Sequence, residues 1–398
     1  MRTGRLISRA RRFPKYTVRS ASSQNLNQKE ITHMTNINTV FKTELFFALA
    51  AILFSFLISY FLTPYARKLA LRCNCLDIPD GKRKLHKDPV PYFGGLSILV
   101  GFSVSALTCS FFLTEYLPSE IYVMLIGAMS ICLVGLLDDM YDIKPILKLT
   151  AQIAVAVFTV WFGGKIEYTT LFGFSLRLGI FSFPVTVLWI VLIINAVNLI
   201  DGLDGLASGV CAMESFALFV TSLIMGNPIC AVASGAVCGA ALGFLPYNVN
   251  RATVFMGDAG AMLIGYVMAC ISVFGLFKSQ ALFSIVVPAL IFALPVMDTI
   301  FAFCRRIAKG QNPFKADKQH LHHKLLYNGF TPRQSVLAIY VASAVFCAAS
   351  VLYMYYPLIS VLFCAANLVY LEALKNDRKF LYSIKKAENL AEGFTNET

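Results

Sequence analysis

The sequence predicts an all-α polytopic membrane protein that crosses the bilayer about eleven times. Of its 398 residues, 57% are hydrophobic and only 14% are charged, whereas an ordinary soluble domain carries about 25% charged residues. The apolar residues form long continuous runs, each near the roughly 20 residues that a helix needs to cross the hydrocarbon core. Continuous runs favour helices over the alternating strands of a membrane barrel. A typical soluble enzyme, a disordered chain and a collagen-like chain are therefore excluded.

Eleven predicted spans follow one another with mostly short connections. They cover residues 44–63, 93–114, 120–137, 147–162, 183–199, 205–225, 229–247, 259–277, 281–303, 335–352 and 357–372. The longer connection 163–182 is predicted to form a small hairpin, because Gly and polar residues bound two short stretches rich in β-prone residues.

The distribution of Lys and Arg predicts the orientation. The connections after the odd-numbered spans, together with the C-terminal tail, carry 22 basic residues, and those after the even-numbered spans carry three. Because basic loops stay in the cytoplasm, the first set and the C-terminus are expected there. The N-terminus and the hairpin are then expected outside.

Residues 1–33 do not fit this rule, since they carry a net charge of +7 on the predicted outer side. Three interpretations remain open: a transit peptide, a start assigned upstream of a true first residue at Met34, or a disordered arm. We favour Met34, because removing the extension restores the charge rule. The predicted organisation is an extension at 1–33, a transmembrane domain at 44–372 and a cytoplasmic tail at 373–398.

Ionisable and amide side chains concentrate in five clusters at the predicted cytoplasmic connections. These are Asp80–Gly95, Asp138–Lys148, Asn195–Gly205, Asn248–Asp258 and Arg305–His323. Polar groups at a membrane boundary are costly and indicate function. Each cluster alone also has a structural explanation, such as a helix cap, bonds between helices or a solvated basic loop, but their joint presence on one side favours a site.

The spacing within the clusters suggests how they act. Asp138 and Asp142 are four residues apart and are expected to share one helix face, and Asn195, Asn198 and Asp201 recur every three residues on another. Carboxylate and amide oxygens suit Mg²⁺, which often bridges substrate phosphates, and Lys and His suit phosphate oxygens. The chemistry indicated is a reaction between a soluble phosphorylated donor and a lipid phosphate.

Two intramembrane acids and the cysteines complete the sequence features. Asp298 follows Pro295 and is expected to orient the loop after it, with a structural role at least as plausible, whereas Glu214 has no assigned role. Zinc is not expected at the histidines, because no Cys lies near them. A transporter is the rival class, but acids at one membrane face do not fit the midplane sites of transporters.

At these residues the chain resembles the polyprenyl-phosphate N-acetylhexosamine-1-phosphate transferases. The matching stretches occur in the family's order over about 80–328. They are Arg83-Lys84-x-His86 with Pro89-x-Pro91-x-x-Gly94-Gly95, Gly135-Leu136-x-Asp138-Asp139-x-x-Asp142-x-Lys144, Asn195-x-x-Asn198-x-x-Asp201-Gly202-x-Asp204-Gly205-Leu206-Ala207, Phe255-Met256-Gly257-Asp258-x-Gly260, and Asp317-Lys318-x-His320-Leu321-His322-His323.

The resemblance implies a reaction and its partners. A UDP-N-acetylhexosamine gives its sugar 1-phosphate to undecaprenyl phosphate in the bacterial inner membrane, UMP is released, and Mg²⁺ or Mn²⁺ is required. The His-Leu-His-His stretch preceded by Pro313 and Asp317 resembles the branch that uses UDP-GlcNAc. The alternative is the peptidoglycan branch, which uses UDP-MurNAc-pentapeptide. A homodimer is also implied, and a nucleic-acid partner is not.

The resemblance also implies roles for individual residues. Asp258, Asn198 and Asp201 match metal positions, Asp258 also counts as catalytic, and Asp138 or Asp139 matches a general base or, in an older scheme, a covalent nucleophile. The positions that match substrate contacts are Lys84, His86, Lys148, Asn195, Asp201, Asp204, Asn248, Arg305, Arg306, His320, His322 and His323.

Overall fold

The fold is all-α, as predicted. We describe a computed structural model of the chain over residues 19–78, 89–171, 174–249, 251–276, 285–310 and 320–376. The chain divides into two compact units, Met1–Glu44 and Leu45–Thr398, and the clusters described above lie in the second.

The described residues form thirteen α-helices. They are α1 (Arg19–Arg72), α2 (Gly94–Thr114), α3 (Ser119–Tyr141), α4 (Pro145–Phe162), α5 (Ser182–Ile200), α6 (Leu206–Ile224), α7 (Pro228–Asn248), α8 (Gly257–Ile271), α9 (Val286–Ile291), α10 (Ala293–Ala308), α11 (Leu321–Tyr327), α12 (Pro332–Tyr353) and α13 (Pro357–Asn376). Helix α1 begins at Arg19 and continues through Met34, so the predicted boundary at 33 is not an end of this helix.

Ten of these helices are long and apolar enough to cross a membrane, counted over the described residues. The remaining predicted span, 281–303, differs, because its described part is two short helices that meet at Phe292. Pro295 explains the break. It has no N–H to donate to Ile291, and its ring crowds that carbonyl, so α9 ends at Ile291. The protein is a multi-pass membrane protein, and the predicted span 281–303 is not a continuous helix over its described residues.

Two small antiparallel ribbons connect the helices. The predicted hairpin is confirmed as β3 (Tyr168–Leu171) paired with β4 (Phe174–Arg177), with Tyr168 opposite Arg177. A second ribbon pairs β1 (Leu76–Asp77) with β2 (Val90–Pro91). It leads the chain from α1 into α2, next to the first polar cluster.

Helix α8 is the centre of the bundle. In its apolar stretch, 94% of the residues are buried. In the apolar stretches of α1, α4 and α13 only 22% are buried, and these helices present apolar side chains outward. Glycines let neighbouring backbones approach the first turn of α8. A Cβ on Gly95 of α2 would lie 2.4 Å from the Gly260 nitrogen, and one on Gly135 of α3 would lie 2.4 Å from the Ala259 Cα. These crossings bring α2 and α3 to the start of α8.

Candidate active site at the start of the central helix

A lysine from α4 lies between two carboxylates from different helices. Lys148 Nζ donates to Asp138 Oδ2 at 3.0 Å and is in direct ion-pair contact with Asp258 Oδ2. Lys148 and Asp138 side chains are 14% exposed, and Asp258 is 31% exposed. Pro145 at the first position of α4 starts this helix and thereby places Lys148 one turn inside it. The three residues were all predicted for the site, and the structure brings them together.

Asn198 joins the same group from the last turn of α5. Its amide oxygen accepts from Lys148 Nζ at 3.2 Å and its amide nitrogen donates to Asp258 Oδ1 at 3.1 Å, the orientation in which both amide atoms meet a complementary partner. Three oxygen-bearing side chains therefore converge on one ammonium group. We call Asp138, Lys148, Asn198 and Asp258 the lysine cluster.

Asp139 is adjacent to Asp138 in sequence but faces different partners. Its Oδ1 accepts the backbone N–H of Asp258 at 2.8 Å, and its Oδ2 accepts that of Ala259 at 3.2 Å. These N–H groups belong to the first turn of α8, and the N–H groups of a first turn have no acceptor within their own helix. Asp139 thus acts as a helix cap supplied by a neighbouring helix, with a negative charge at the positive end of α8.

Gly257 makes this cap possible. It has a positive φ of 70°, and a Cβ at this position would lie 2.4 Å from Asp139 Oδ2. The backbone before it is fastened to α2, since Gly94 N–H donates to Phe255 O and Gly95 N–H to Met256 O, both at 3.0 Å. The segment that carries Asp258 is therefore held from two sides.

The predicted helix face of Asp138 and Asp142 is wrong at its second residue. Helix α3 ends at Tyr141, and Asp142 has a left-handed backbone with a φ of 49°. Asp138 accounts for this ending, because its Oδ1 accepts the N–H of Ile143 at 3.0 Å and draws the chain into a turn. Asp142 consequently leaves the face that Asp138 occupies.

Asn195 lies one turn before Asn198 and binds a residue that the sequence analysis missed. Asn195 Nδ2 donates to Gln152 Oε1 at 2.6 Å. Gln152 is fully buried in α4, one turn after Lys148. This bond ties α5 to α4 behind the lysine cluster. The sequence feature that could have revealed Gln152 was its amide side chain, which stands alone within the predicted span 147–162.

The loop 201–205, between α5 and α6, is fastened to the segment after α7. Asp204 Oδ2 accepts the N–H of Ala252 at 2.9 Å. Asn248, which is 3% exposed, accepts the N–H of Gly205 at 3.0 Å and donates to Val254 O at 3.2 Å. Both predicted site residues therefore hold backbone in place around the site, and substrate contacts by them stay a prediction.

Asp201, in the same loop, lies near the negative charges of other aspartates. Burial and the negative charges of Asp139 and Asp204 raise the pKa of Asp201 to about 7. With Asp138 and Asp258 also present, carboxylates outnumber the lysine. A divalent cation nearby would relieve this repulsion.

The predicted histidines form a stacked group at the start of α11. Asp298 of α10 accepts from His320 Nδ1 and from the Leu321 N–H, both at 2.9 Å, so the predicted orienting role of Asp298 agrees with the structure. The rings of His320 and His322 stack with centroids 6.0 Å apart, and His323 follows at 4.2 Å from His322.

His322 connects this group to the loop 201–205. It is 3% exposed, and a Cβ on Gly202 would lie 2.4 Å from His322 Nε2. Burial lowers the pKa of His322 to about 3, and the neighbouring His323 acts in the same direction. His322 is therefore neutral at physiological pH in the protein without substrate.

The other predicted basic residues lie farther along or outside the description. Arg305 and Arg306 occupy the last turn of α10 and are half-buried. Lys84 and His86 fall outside the described residues, so their placement stays a prediction.

Comparison with known proteins identifies the family. A model of glycosyl transferase family 4 matches residues 121–276, which contain the lysine cluster. A probable undecaprenyl-phosphate N-acetylglucosaminyl 1-phosphate transferase of Bacillus subtilis is 37% identical over 76% of this chain and 83% of that protein. The chain belongs to glycosyl transferase family 4.

Two further relatives of this family 4 transferase agree. The decaprenyl-phosphate N-acetylglucosaminephosphotransferase of Mycolicibacterium smegmatis is 33% identical over 75% of this chain and 80% of its own length. The undecaprenyl-phosphate alpha-N-acetylglucosaminyl 1-phosphate transferase of Escherichia coli K12 is 32% identical over 73% and 80%. Membership of this family indicates that the protein is an enzyme, a phosphotransferase, and not a transporter.

The oxygens around Lys148 suit the metal ion that the resemblance implies for this family 4 transferase. Mg²⁺ is usually held by one or two carboxylates together with waters and substrate phosphates. Within the described residues there is no group of three or more His, Cys, Asp or Glu that would hold a metal by itself. Asp258 and Asn198, whose oxygens already converge on a cation, match the sparser set that Mg²⁺ requires.

Proposed function

We propose that this protein transfers N-acetylglucosamine 1-phosphate from UDP-GlcNAc to undecaprenyl phosphate and releases UMP. The carrying observation is the lysine cluster, an ammonium group among oxygen ligands at the end of membrane-crossing helices. Relatives named for N-acetylglucosaminyl 1-phosphate transfer to a polyprenyl phosphate support the sugar and the class of acceptor. They favour UDP-GlcNAc over UDP-MurNAc-pentapeptide.

The reaction exchanges one phosphorus–oxygen bond for another. An oxygen of the lipid phosphate attacks the phosphorus that carries the sugar, and the bond from this phosphorus to UMP breaks. In-line phosphoryl transfers need positioning and charge stabilisation more than covalent help. We assign Lys148 to a phosphate oxygen of the substrate, because its ammonium group lies at the centre of the lysine cluster, next to the carboxylates of Asp138 and Asp258.

Mg²⁺, for which Mn²⁺ is expected to substitute, would supply charge neutralisation as UMP departs. We assign Asp258 and Asn198 as its ligands, and Asp201 as a third ligand whose carboxylate would hold it directly or through water. Burial raises the pKa of Asp201, and the charges of Asp139 and Asp204 add to the shift; these neighbouring carboxylates support a divalent cation here.

The two neighbouring aspartates have different roles in this proposal. Asp139 accepts two backbone N–H groups of α8, so we assign it to positioning Asp258. Asp138 contacts Lys148 and remains the candidate base. The demand on a base is small, since a phosphate monoester with a second pKa of about 6 is mostly dianionic at neutral pH.

The basic residues outside the lysine cluster are assigned to the donor. His322 contacts the loop 201–205 at Gly202, and the rings of His320 and His323 lie beside it, so we assign the three histidines to the sugar and its phosphates. Positive charge for the phosphates of the donor is assigned to Arg305, Arg306, Lys84 and His86. Asn195 orients the helix that bears Asn198.

The bacterial relatives support a location in the bacterial inner membrane, and the distribution of Lys and Arg supports an active site and C-terminus in the cytoplasm. A homodimer remains an expectation from the family, and the mass of the detergent-solubilised protein tests it.

One assay tests the reaction. The purified protein, undecaprenyl phosphate and Mg²⁺ are incubated with labelled UDP-GlcNAc or labelled UDP-MurNAc-pentapeptide, and both labelled lipid and UMP are measured. We expect equal amounts of lipid and UMP from UDP-GlcNAc only. The variant Asp258→Asn should lose turnover at every Mg²⁺ concentration, whereas the matched control Glu167→Gln, at an exposed side chain just before β3, should not. Product from UDP-MurNAc-pentapeptide alone would overturn the choice of sugar.

A further inference from the structure

A tyrosine from outside every predicted cluster contacts the loop that carries Asp201 and Asp204. Tyr340 lies in α12, and its hydroxyl donates to the carbonyl oxygen of Gly205 at 2.5 Å. The same oxygen accepts the N–H of Gly209 at 3.0 Å. The tyrosine therefore binds at the residue where the loop ends and α6 begins.

Two glycines shape this contact. Gly205 has a φ of 77°, a conformation that residues with a Cβ rarely adopt. A Cβ on Gly209 would lie 1.9 Å from the Tyr340 hydroxyl oxygen and 2.2 Å from Cζ of the ring. The tyrosine fits because Gly209 lacks a side chain, and the glycine at 205 allows the backbone conformation that presents its carbonyl to the hydroxyl.

The loop is held on its other side by the histidine group. Gly202 packs against His322 Nε2, and His322 belongs to α11, which precedes α12. Thr331 and Gln334 form a reciprocal cap at the start of α12, so α11 and α12 are joined by an ordered turn. The segment formed by α11 and α12 thus contacts the loop 201–205 near both of its ends.

We propose that Tyr340 is a positioning residue for sugar phosphate transfer. Its hydroxyl fixes the end of the loop 201–205 and thereby sets where Asp201 and Asp204 lie relative to Asp258. The proposal rests on the function proposed above, because that function gives these two carboxylates their roles. Tyr340 itself touches no reacting atom in this scheme.

The test compares two tyrosines whose hydroxyls make different contacts of α12. Tyr340→Phe keeps the ring and removes the hydroxyl. Tyr370→Phe is the matched control, since Tyr370 of α13 directs its hydroxyl at Ala338 of α12, 3.5 Å away, and not at the loop. We expect Tyr340→Phe to lower kcat/KM for UDP-GlcNAc roughly tenfold, as small displacements of catalytic groups do, without changing KM for undecaprenyl phosphate. Tyr370→Phe should change neither constant.

Hydrogen exchange of backbone amides gives a second measurement that does not depend on turnover. Tyr340→Phe should speed exchange in the peptide that covers 201–209, and Tyr370→Phe should not. Gly209→Ala should displace the tyrosine and have the effect of Tyr340→Phe, and the double variant should add little to either.

The outcomes separate this proposal from the reaction on which it rests. Unchanged kcat/KM in Tyr340→Phe, with or without faster exchange, overturns the positioning role. Equal losses in both tyrosine variants overturn it as well, because they would point to general packing of α12 and α13. Absence of lipid product from the wild-type protein overturns the proposed reaction. In that case hydrogen exchange in the loop 201–205 alone shows whether Tyr340 holds the loop in place.

Discussion

The carboxylate of Asp139 accepts the backbone N–H of Asp258 at 2.8 Å, so one predicted catalytic residue holds another in place. The bond joins α3 to the first turn of α8, the most buried span. Asp139 has its second oxygen on Ala259 N–H, whereas its neighbour Asp138 contacts Lys148. The adjacent aspartates can therefore be separated by experiment.

Replacing each aspartate with asparagine should give different pH profiles. Asp138→Asn should lose most activity below about pH 6, where the lipid phosphate is partly monoanionic and a base is useful, and should recover above pH 8. Asp139→Asn turns an amide N–H₂ towards a backbone N–H, misplaces Asp258 and should lose roughly 100-fold at every pH. Initial rates from pH 5 to 9 measure both. Recovery of Asp139→Asn at high pH would instead make Asp139 the base.

Removing the charge of Lys148 should weaken donor use. Lys148→Met leaves Asp138 and Asp258 facing each other without the ammonium group between them. We expect kcat/KM for UDP-GlcNAc to fall roughly 100-fold, as when a group that stabilises developing charge is removed. The control is Lys165→Met, because Lys165 is an exposed lysine whose ion pair with Glu167 spans 3.9 Å. Equal activity of the two variants would remove Lys148 from the site.

Asp298→Asn should reverse the hydrogen bonding of His320. A carboxylate only accepts, so His320 Nδ1 carries the proton in the present arrangement. The amide of Asn can present N–H₂ to that nitrogen while its oxygen still accepts from Leu321, which favours the other tautomer. We expect a roughly 10- to 100-fold loss of activity with little change in thermal stability. Nitrogen chemical shifts of labelled histidine report the tautomer, and an unchanged tautomer would contradict this explanation.

Acid should destabilise the protein through His322. Burial lowers its folded-state pKa to about 3, below the unfolded value of about 6.5. The unfolded chain therefore binds the proton first as the pH falls. The stability that His322 contributes is complete above about pH 6.5 and is lost between there and pH 3, by up to about 1.4 kcal/mol per pH unit.

Thermal unfolding in detergent from pH 7 to pH 4 measures this loss. His322→Gln, which does not titrate, should show a shallower fall of Tm with acid than the wild type. Parallel curves for the two proteins would show that His322 does not limit stability in acid.

Two nearby cysteines test the orientation of the membrane domain. Cys73 is exposed, whereas Cys75 is 5% exposed and burial, with the charge of Asp139, raises the pKa of its thiol to about 11. In a Cys304→Ser background, a membrane-impermeant maleimide should label Cys73 and spare Cys75. Labelling should occur in inverted vesicles and not in intact cells. Labelling in intact cells would reverse the predicted topology.

Several features were predictable because they depend on neighbours in the chain. Hydropathy predicted the helices, and Gly and β-prone residues predicted the ribbon of β3 and β4. The span 281–303 was predicted as unbroken, whereas the structure interrupts it at Phe292, and Pro295 gives the physical reason. The face shared by Asp138 and Asp142 was wrong, because a side-chain bond to Ile143 ends α3 early, and helical spacing does not report where a helix stops.

Composition and motif spacing are local properties of the chain, so they were enough to predict the membrane class, the family and the residues that carry charge at the site. The different roles of those residues depend on which helices pack against one another. Asp138 contacts Lys148 of α4, whereas Asp139 caps α8, and the close approach of α8 to α3 at Gly135 is a contact that no spacing rule describes. For the same reason the partners supplied from distant helices, Gln152 and Tyr340, became visible only when the helices were packed.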